Sequence, residues 1–196
     1  MYEPQEDSYL LQESIIEFLN EKKIHIALDM GTGTGIQGLT LIGHVETIIL
    51  TDINKETIDF LKDEIKKLED NKIKNNNQIK SKIRIYTGNL FEKIPEEFHQ
   101  KINLIIFNPP YLPREKEEIE DIELTSGESG IETTKEFLTH SKIFLAKQGT
   151  IFFVASSLSK ITELEEHMTK ENYSFSIDRK KHISFEDIII YKARLN

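Results

Sequence analysis

Short apolar runs alternate along this chain with stretches whose apolar residues recur at helical spacing. That alternation constrains the fold more than any other feature. Ser8–Leu19 carries Leu10, Leu11, Ile15, Phe18 and Leu19 on one helical face, and Ile24–Leu28 then reads as a strand. A helix over 36–42, a strand over 45–50 and a helix capped by Asn54 follow, the last with Ile58, Leu61, Ile65 and Leu68 on its apolar face. The polar run 75–78 reads as a loop, and Ile83–Tyr86 and Ile102–Phe107 read as strands. A helix carrying Ile131, Phe137, Leu138, Ile143 and Leu145 is expected to stop at Gly149. After it come a strand over 151–154 and a helix over 158–168. Tyr173–Ile177 and Ile183–Tyr191 read as two closing strands joined by a basic turn, Arg179-Lys180-Lys181-His182. Strands interleaved with helices imply an α/β fold with a mostly parallel sheet covered on both faces. The consecutive final strands imply an antiparallel closing pair. With 196 residues and no repeat, one domain over 1–196 is expected.

Chemistry-bearing residues gather where these apolar runs end. Asn108-Pro109-Pro110-Tyr111 follows the run ending at Phe107, at the carboxyl end of a strand, where open α/β sheets place their ligands. Two prolines stiffen the chain and remove backbone donors, and Asn108 is biased to an extended conformation by the proline after it. The corner presents an amide, free carbonyls and an aromatic ring, a set suited to gripping a planar nitrogen-bearing group.

Asp29-Met30-Gly31-Thr32-Gly33-Thr34-Gly35 lies directly after the first strand, the place for a cofactor loop. Gly33, Gly35 and Gly38 fit the G-x-G-x-x-G spacing of a dinucleotide site, with Asp52 near the expected acidic position. Against that reading, Asp29 would repel a pyrophosphate and attract an ammonium or sulfonium group, and S-adenosylmethionine carries both. Asp52 ends the second strand, where a carboxylate can accept from ribose hydroxyls. Asn89, after the third strand, could bond an adenine edge through its two-sided amide.

With these residues in place, the chain resembles a class I S-adenosylmethionine-dependent methyltransferase. It is more specifically similar to the HemK-like family that methylates the glutamine of release factors, in its short archaeal and eukaryotic branch. Tyr2-Glu3-Pro4-Gln5-Glu6-Asp7-Ser8 resembles the opening motif of that branch, which lies over the cofactor. Asp29–Gly35 resembles its cofactor loop, 51–54 its ribose motif, Asn108–Tyr111 its catalytic motif, and 126–130 a glycine-containing stretch after the substrate loop. Asn89 departs from the Asp common in the branch, and the chain has no Trp near Leu124.

The resemblance implies a seven-stranded Rossmann-like sheet with an antiparallel closing strand. It implies N5-methylation of the glutamine in the Gly-Gly-Gln motif of a class 1 release factor, and a small zinc-binding activator as partner. Tyr2, Pro4, Glu6, Asp7, Ser8, Asp29, Gly31, Thr32, Gly33, Gly35, Asp52, Ile53, Asn89, Leu90 and Asn108 are expected around S-adenosyl-L-methionine. Asn108, Pro109, Pro110 and Tyr111 are expected around the substrate, with Asn108, Pro109 and Tyr111 catalytic. The motif is shared with adenine and cytosine N-methyltransferases, so N6-methylation of adenine in DNA or RNA is the alternative, beside a non-catalytic subunit of a methyltransferase complex.

An amide nitrogen is a poor nucleophile because its lone pair is delocalised. The expected device is two acceptors, the Asn108 side-chain oxygen and the Pro109 carbonyl, holding its N–H groups while Tyr111 packs on the flat amide. Net charge of −9 argues against sequence-independent nucleic-acid binding. The acidic stretch 114–123 reads either as a solvated loop or as an acidic lid that attracts a basic segment of a protein substrate. The absence of cysteine and the scattering of six histidines argue against a metal. No apolar run of about 18 residues and no basic leader is present, so neither a membrane span nor a signal peptide is expected, and a cytoplasmic location is the default.

Overall fold

A computed structural model describes residues 3–74, 81–113 and 127–196. Among them a seven-stranded sheet runs in the order β3-β2-β1-β4-β5-β7-β6. The strands are β1 (Ile24–Met30), β2 (Val45–Asp52), β3 (Lys82–Thr87), β4 (Ile102–Phe107), β5 (Leu145–Ser156), β6 (Tyr173–Ile183) and β7 (Glu186–Leu195). The first five pair in parallel, and β7 runs antiparallel to both β5 and β6. This is the expected architecture, and the closing strand is β7, set inside the edge strand β6.

Helices α1 (Glu6–Glu21), α2 (Ile36–Thr40) and α3 (Lys55–Lys74) cover one face. On the other lie α4 (Glu132–Phe144), α5 (Ile161–Lys170) and the short 3-10 turn at Glu96–Phe98. Alternate strand residues feed the two cores. Leu104 and Ile106 pack with Leu11, Ile15 and Leu61, while Ile105 and Phe107 pack with Phe137, Leu138 and Phe91. A strand buried on both faces has no polar side, which is why β4 reads as an apolar run from Leu104 to Phe107. Asn54 caps α3, its side-chain oxygen accepting from the N–H groups of Glu56 (2.9 Å) and Thr57 (3.4 Å).

Three sequence expectations are corrected. Helix α4 ends at Phe144 and Leu145 already belongs to β5, so Gly149 does not stop the helix. Ile102 pairs with Leu145 and Leu104 with Thr150, which places Gly149 in a bulge that the strand absorbs. Leu145 is buried either way, so periodicity could not separate the two assignments. Second, α5 begins at Ile161 rather than Leu158, whose backbone N–H is taken by the Ser156 hydroxyl in the preceding turn (3.0 Å).

Third, Arg179–His182 is not a turn. These residues pair with Ile190 to Asp187 inside β6, past a register shift at Ile177/Arg179, and the reversal falls at Ser184 (φ 54°). Cations suit an edge strand because they discourage pairing with another chain. Arg179 reaches Glu13 and Glu17 on α1, while Lys180 and His182 both reach Asp187, so much of this positive charge is matched internally. No described helix is long and apolar enough to cross a membrane.

Candidate functional site

The chain order reverses beside β1: β2 and β3 lie on one side and β4 and β5 on the other. The carboxyl ends of β1 and β4 therefore diverge into a crevice, with Asp29 opposite Ile106 and Met30 opposite Phe107. A cavity of about 450 Å³ opens there, within the range of small-molecule and cofactor sites. Pro4, Asp7, Ser8, Asp29, Gly31, Thr32, Gly33, Asp52 and Ile53 line it, together with Asn108, Pro109, Pro110 and Tyr111.

Segments far apart in sequence thus meet at one crevice. Glu6, Gly35, Asn89 and Leu90 are not part of its wall. Glu6 is on the exposed face of the first turn of α1, and Gly35 is the N-cap of α2. Asn89 is exposed in the turn after β3, where its carbonyl accepts from Glu92 N–H (3.0 Å), and Leu90 is buried in the core on the far face of the sheet. Tyr2 and the acidic stretch 114–123 lie outside the described residues, as do Leu124 and Ser126. The wall also includes Thr34, Ile36, Gln37, Asn54, Thr57 and Phe107. Gln37 carried no signal in the sequence, being a single polar residue in a five-residue helix. Its Nε2 donates to Ser8 O (2.7 Å), and its Oε1 is buried with no partner among the described residues.

The glycine loop after β1 is organised by two carboxylates. Asp29 Oδ2 accepts from the Thr32 hydroxyl (2.6 Å) and from Gly38 N–H (2.8 Å). Burial raises its pKa to about 7 despite those two bonds, so its charged form is penalised until a cation arrives. Asp52 Oδ2 accepts from Gly33 N–H (3.0 Å) and Oδ1 from Asn54 N–H (2.9 Å). Between them the loop turns through Gly31, Gly33 and Gly35, all at positive φ.

Gly38 has a packing role rather than a phosphate-binding one. A Cβ there would sit 2.2 Å from Leu50 Cδ2 and 3.1 Å from Asp29 Oδ2, so glycine lets α2 lie directly on β1 and β2. This explains the G-x-G-x-x-G spacing without a pyrophosphate. A buried acidic group beside a glycine turn suits a cationic ligand, and each oxygen of Asp52, at the end of β2, accepts one backbone N–H.

Asn108 and Tyr111 are held from the first turn of α1. Asn108 Nδ2 donates to Asp7 Oδ2 (3.0 Å) and lies 3.3 Å from the Ser8 hydroxyl oxygen, and the Tyr111 hydroxyl donates to the same Asp7 oxygen (3.1 Å). Asn108 Oδ1 is buried with no partner among the described residues. The Tyr111 carbonyl accepts from the Ser159 hydroxyl, which ties the corner to the turn before α5. No group of metal-ligating side chains occurs among the described residues.

Comparison with known proteins agrees with this geometry. The methyltransferase small domain family matches residues 11–180. A protein provisionally named as an N5-glutamine methyltransferase of Methanocaldococcus jannaschii is 27% identical over 198 residues, covering 98% of this chain and 91% of that protein. The release factor glutamine methyltransferase of Clostridium acetobutylicum is 24% identical over 202 residues, covering 97% of this chain and 67% of that protein. Among solved structures, Mtq2 in the E. cuniculi Mtq2–Trm112 complex superposes with a TM-score of 0.73 at 21% identity, covering 100% of this chain and 98% of that one. The ribosomal protein L11 methylase of Lactobacillus delbrueckii subsp. bulgaricus gives 0.63 at 17% identity, covering 97% and 79%. The family match spans most of the chain and both sides of the crevice, and by it this chain belongs to the methyltransferase small domain family.

Proposed function

We propose that this chain transfers a methyl group from S-adenosylmethionine to the side-chain nitrogen of a glutamine in a protein, the substrate being the Gly-Gly-Gln segment of a class 1 release factor. The observation that carries the reading is the orientation of Asn108. Its amide nitrogen is committed to Asp7, and its oxygen is left as a buried acceptor without a partner. A substrate that donates N–H would satisfy it, and an unsatisfied buried acceptor costs about 1–3 kcal/mol. Relatives named for glutamine methylation support the acceptor chosen.

Asp29, Asp52, Gly31, Gly33 and Ile53 would hold the cofactor, which when bound supplies an electrophilic methyl group. The chain's own part is positional. Asn108 Oδ1 and the Pro109 carbonyl accept the two N–H groups of the substrate amide, which turns its nitrogen lone pair toward the methyl donor. Tyr111 packs on the amide plane. Holding the reactants in register lowers the barrier without a strong base, and the proton leaves after transfer. A small zinc-binding partner subunit is part of the same proposal. Mtq2, whose fold is similar, occurs in a complex with Trm112, and the zinc rests on the family resemblance.

Incubation with radiolabelled S-adenosylmethionine tests the reading, with a release factor, its Gln→Ala variant in the Gly-Gly-Gln motif, and nucleic acid offered in parallel. Label in the release factor, lost in that variant, is expected. Label confined to nucleic acid overturns the glutamine reading. In the same assay Asn108→Ala should lose roughly 10²-fold in rate, the scale of one positioned polar group, while still binding cofactor.

A further inference from the structure

Three features outside the proposed chemistry stand out. The open, lysine-rich hollow formed by Lys22, Lys142, Lys147 and Arg194 lies at the amino-terminal edge of the sheet, and Lys142 there is already paired with Glu171. Phe185 projects almost fully exposed from the β6–β7 turn. Asp7 is a buried carboxylate placed between two side chains of the Asn-Pro-Pro-Tyr corner. The third carries an inference furthest.

We infer that Asp7 is a positioning residue that sets which face of the Asn108 amide is offered to the substrate. The inference rests on the catalytic reading of Asn108 given above. An asparagine side chain can present either its oxygen or its NH2 group, and the two orientations are nearly the same shape. Only the surrounding hydrogen bonds choose between them. An ionised carboxylate can only accept, so the NH2 group of Asn108 must turn toward Asp7 and the oxygen away from it.

Asp7 is itself well fixed. It is 3% exposed and lies in the first turn of α1. Its Oδ1 accepts from Ser8 N–H (2.6 Å), while Oδ2 takes both Asn108 Nδ2 and the Tyr111 hydroxyl. One carboxylate oxygen therefore orients the amide and the ring of a corner about a hundred residues away. The consequence is substrate selection, since a corner set this way accepts N–H donors and rejects a group offering only acceptors. This role differs from the cofactor contact expected for Asp7 from the family resemblance.

Asp7→Asn is the informative substitution. It keeps the size of the side chain but introduces a donor, so Asn108 is free to present either face. Turnover is expected to fall about 10- to 100-fold, with cofactor affinity unchanged by calorimetry. The double variant Asp7→Asn/Asn108→Ala should be no slower than Asn108→Ala alone, because a positioning residue has nothing left to position. Multiplying losses in the double variant would overturn the inference.

The two readings fail separately. If Asn108→Ala is slow and Asp7→Asn is not, only the positioning role falls. If Asn108→Ala keeps full rate, the catalytic reading of Asn108 falls and takes this inference with it. A second measurement stands apart from turnover. In 15N-labelled protein an Asn108 side-chain NH2 proton should show the downfield shift and slowed exchange of a bond to the Asp7 carboxylate, and that signature should be lost in Asp7→Asn. An unchanged pair of resonances would likewise overturn the inference.

Discussion

Asp7 and Asn108, 101 positions apart, are joined by a 3.0 Å hydrogen bond across the mouth of the crevice. That bond ties the first turn of α1 to the carboxyl end of β4. It makes the N-terminal helix part of the site rather than a cover over it. Three further consequences of the geometry can be measured.

Asp29 makes stability depend on pH. Its group titrates near 3.8 in an unfolded chain and near 7 in the folded protein, because burial disfavours the charge. Below about pH 3 it is protonated in both states. As pH rises from there to about 7, the unfolded chain ionises first, so folding stability falls, by up to about 4 kcal/mol if this group acts alone. The loss is complete about one unit above pH 7. Urea denaturation across this range should show the decline, and Asp29→Asn should flatten it and be the more stable protein at pH 8. The same variant should bind S-adenosylmethionine more weakly, since it has no charge for a cation to meet.

Asp52 should matter more to binding than to folding. It is only partly buried, and each of its oxygens already accepts one backbone N–H. The remaining lone pairs are the ones available to ribose hydroxyls. A hydrogen bond to a charged group contributes about 1.5–3 kcal/mol, so Asp52→Ala is expected to raise the cofactor dissociation constant about 10- to 100-fold. Isothermal calorimetry checks this. An unchanged constant would remove Asp52 from the ribose role.

Gly130 should control turnover without touching the cofactor. Its φ is +74°, and a Cβ there would lie 2.5 Å from the Tyr111 carbonyl oxygen and 2.8 Å from the Ser159 hydroxyl that bonds it. Gly130→Ala must push the Tyr111 backbone or strain its own. A fall in kcat of about tenfold or more is expected, by the sensitivity of positioned groups to shifts near 1 Å, with cofactor affinity retained. Normal kcat in this variant would show that the corner does not depend on the Ser159 and Gly130 support.

The sequence alone determined the strand and helix types, the order in which they alternate, and the identity of the residues at the ends of β1, β2 and β4. Those features are local. Apolar runs, glycine turns and prolines act within a few residues of one another. It could not separate the end of α4 from the start of β5, because Leu145 is apolar and buried in either state. Nor could it tell the basic run 179–182 from a turn, because edge-strand cations and turn cations look alike in composition.

The tertiary structure alone decided which of the candidate residues face one cavity. It left Asn89 and Leu90 out of the cavity wall, brought in Gln37, and gave Gly38 a packing contact with Leu50. It also turned the Asn108 amide nitrogen toward Asp7 and Ser8 and left its oxygen without a partner among the described residues, an arrangement that exists only when α1 packs against the sheet.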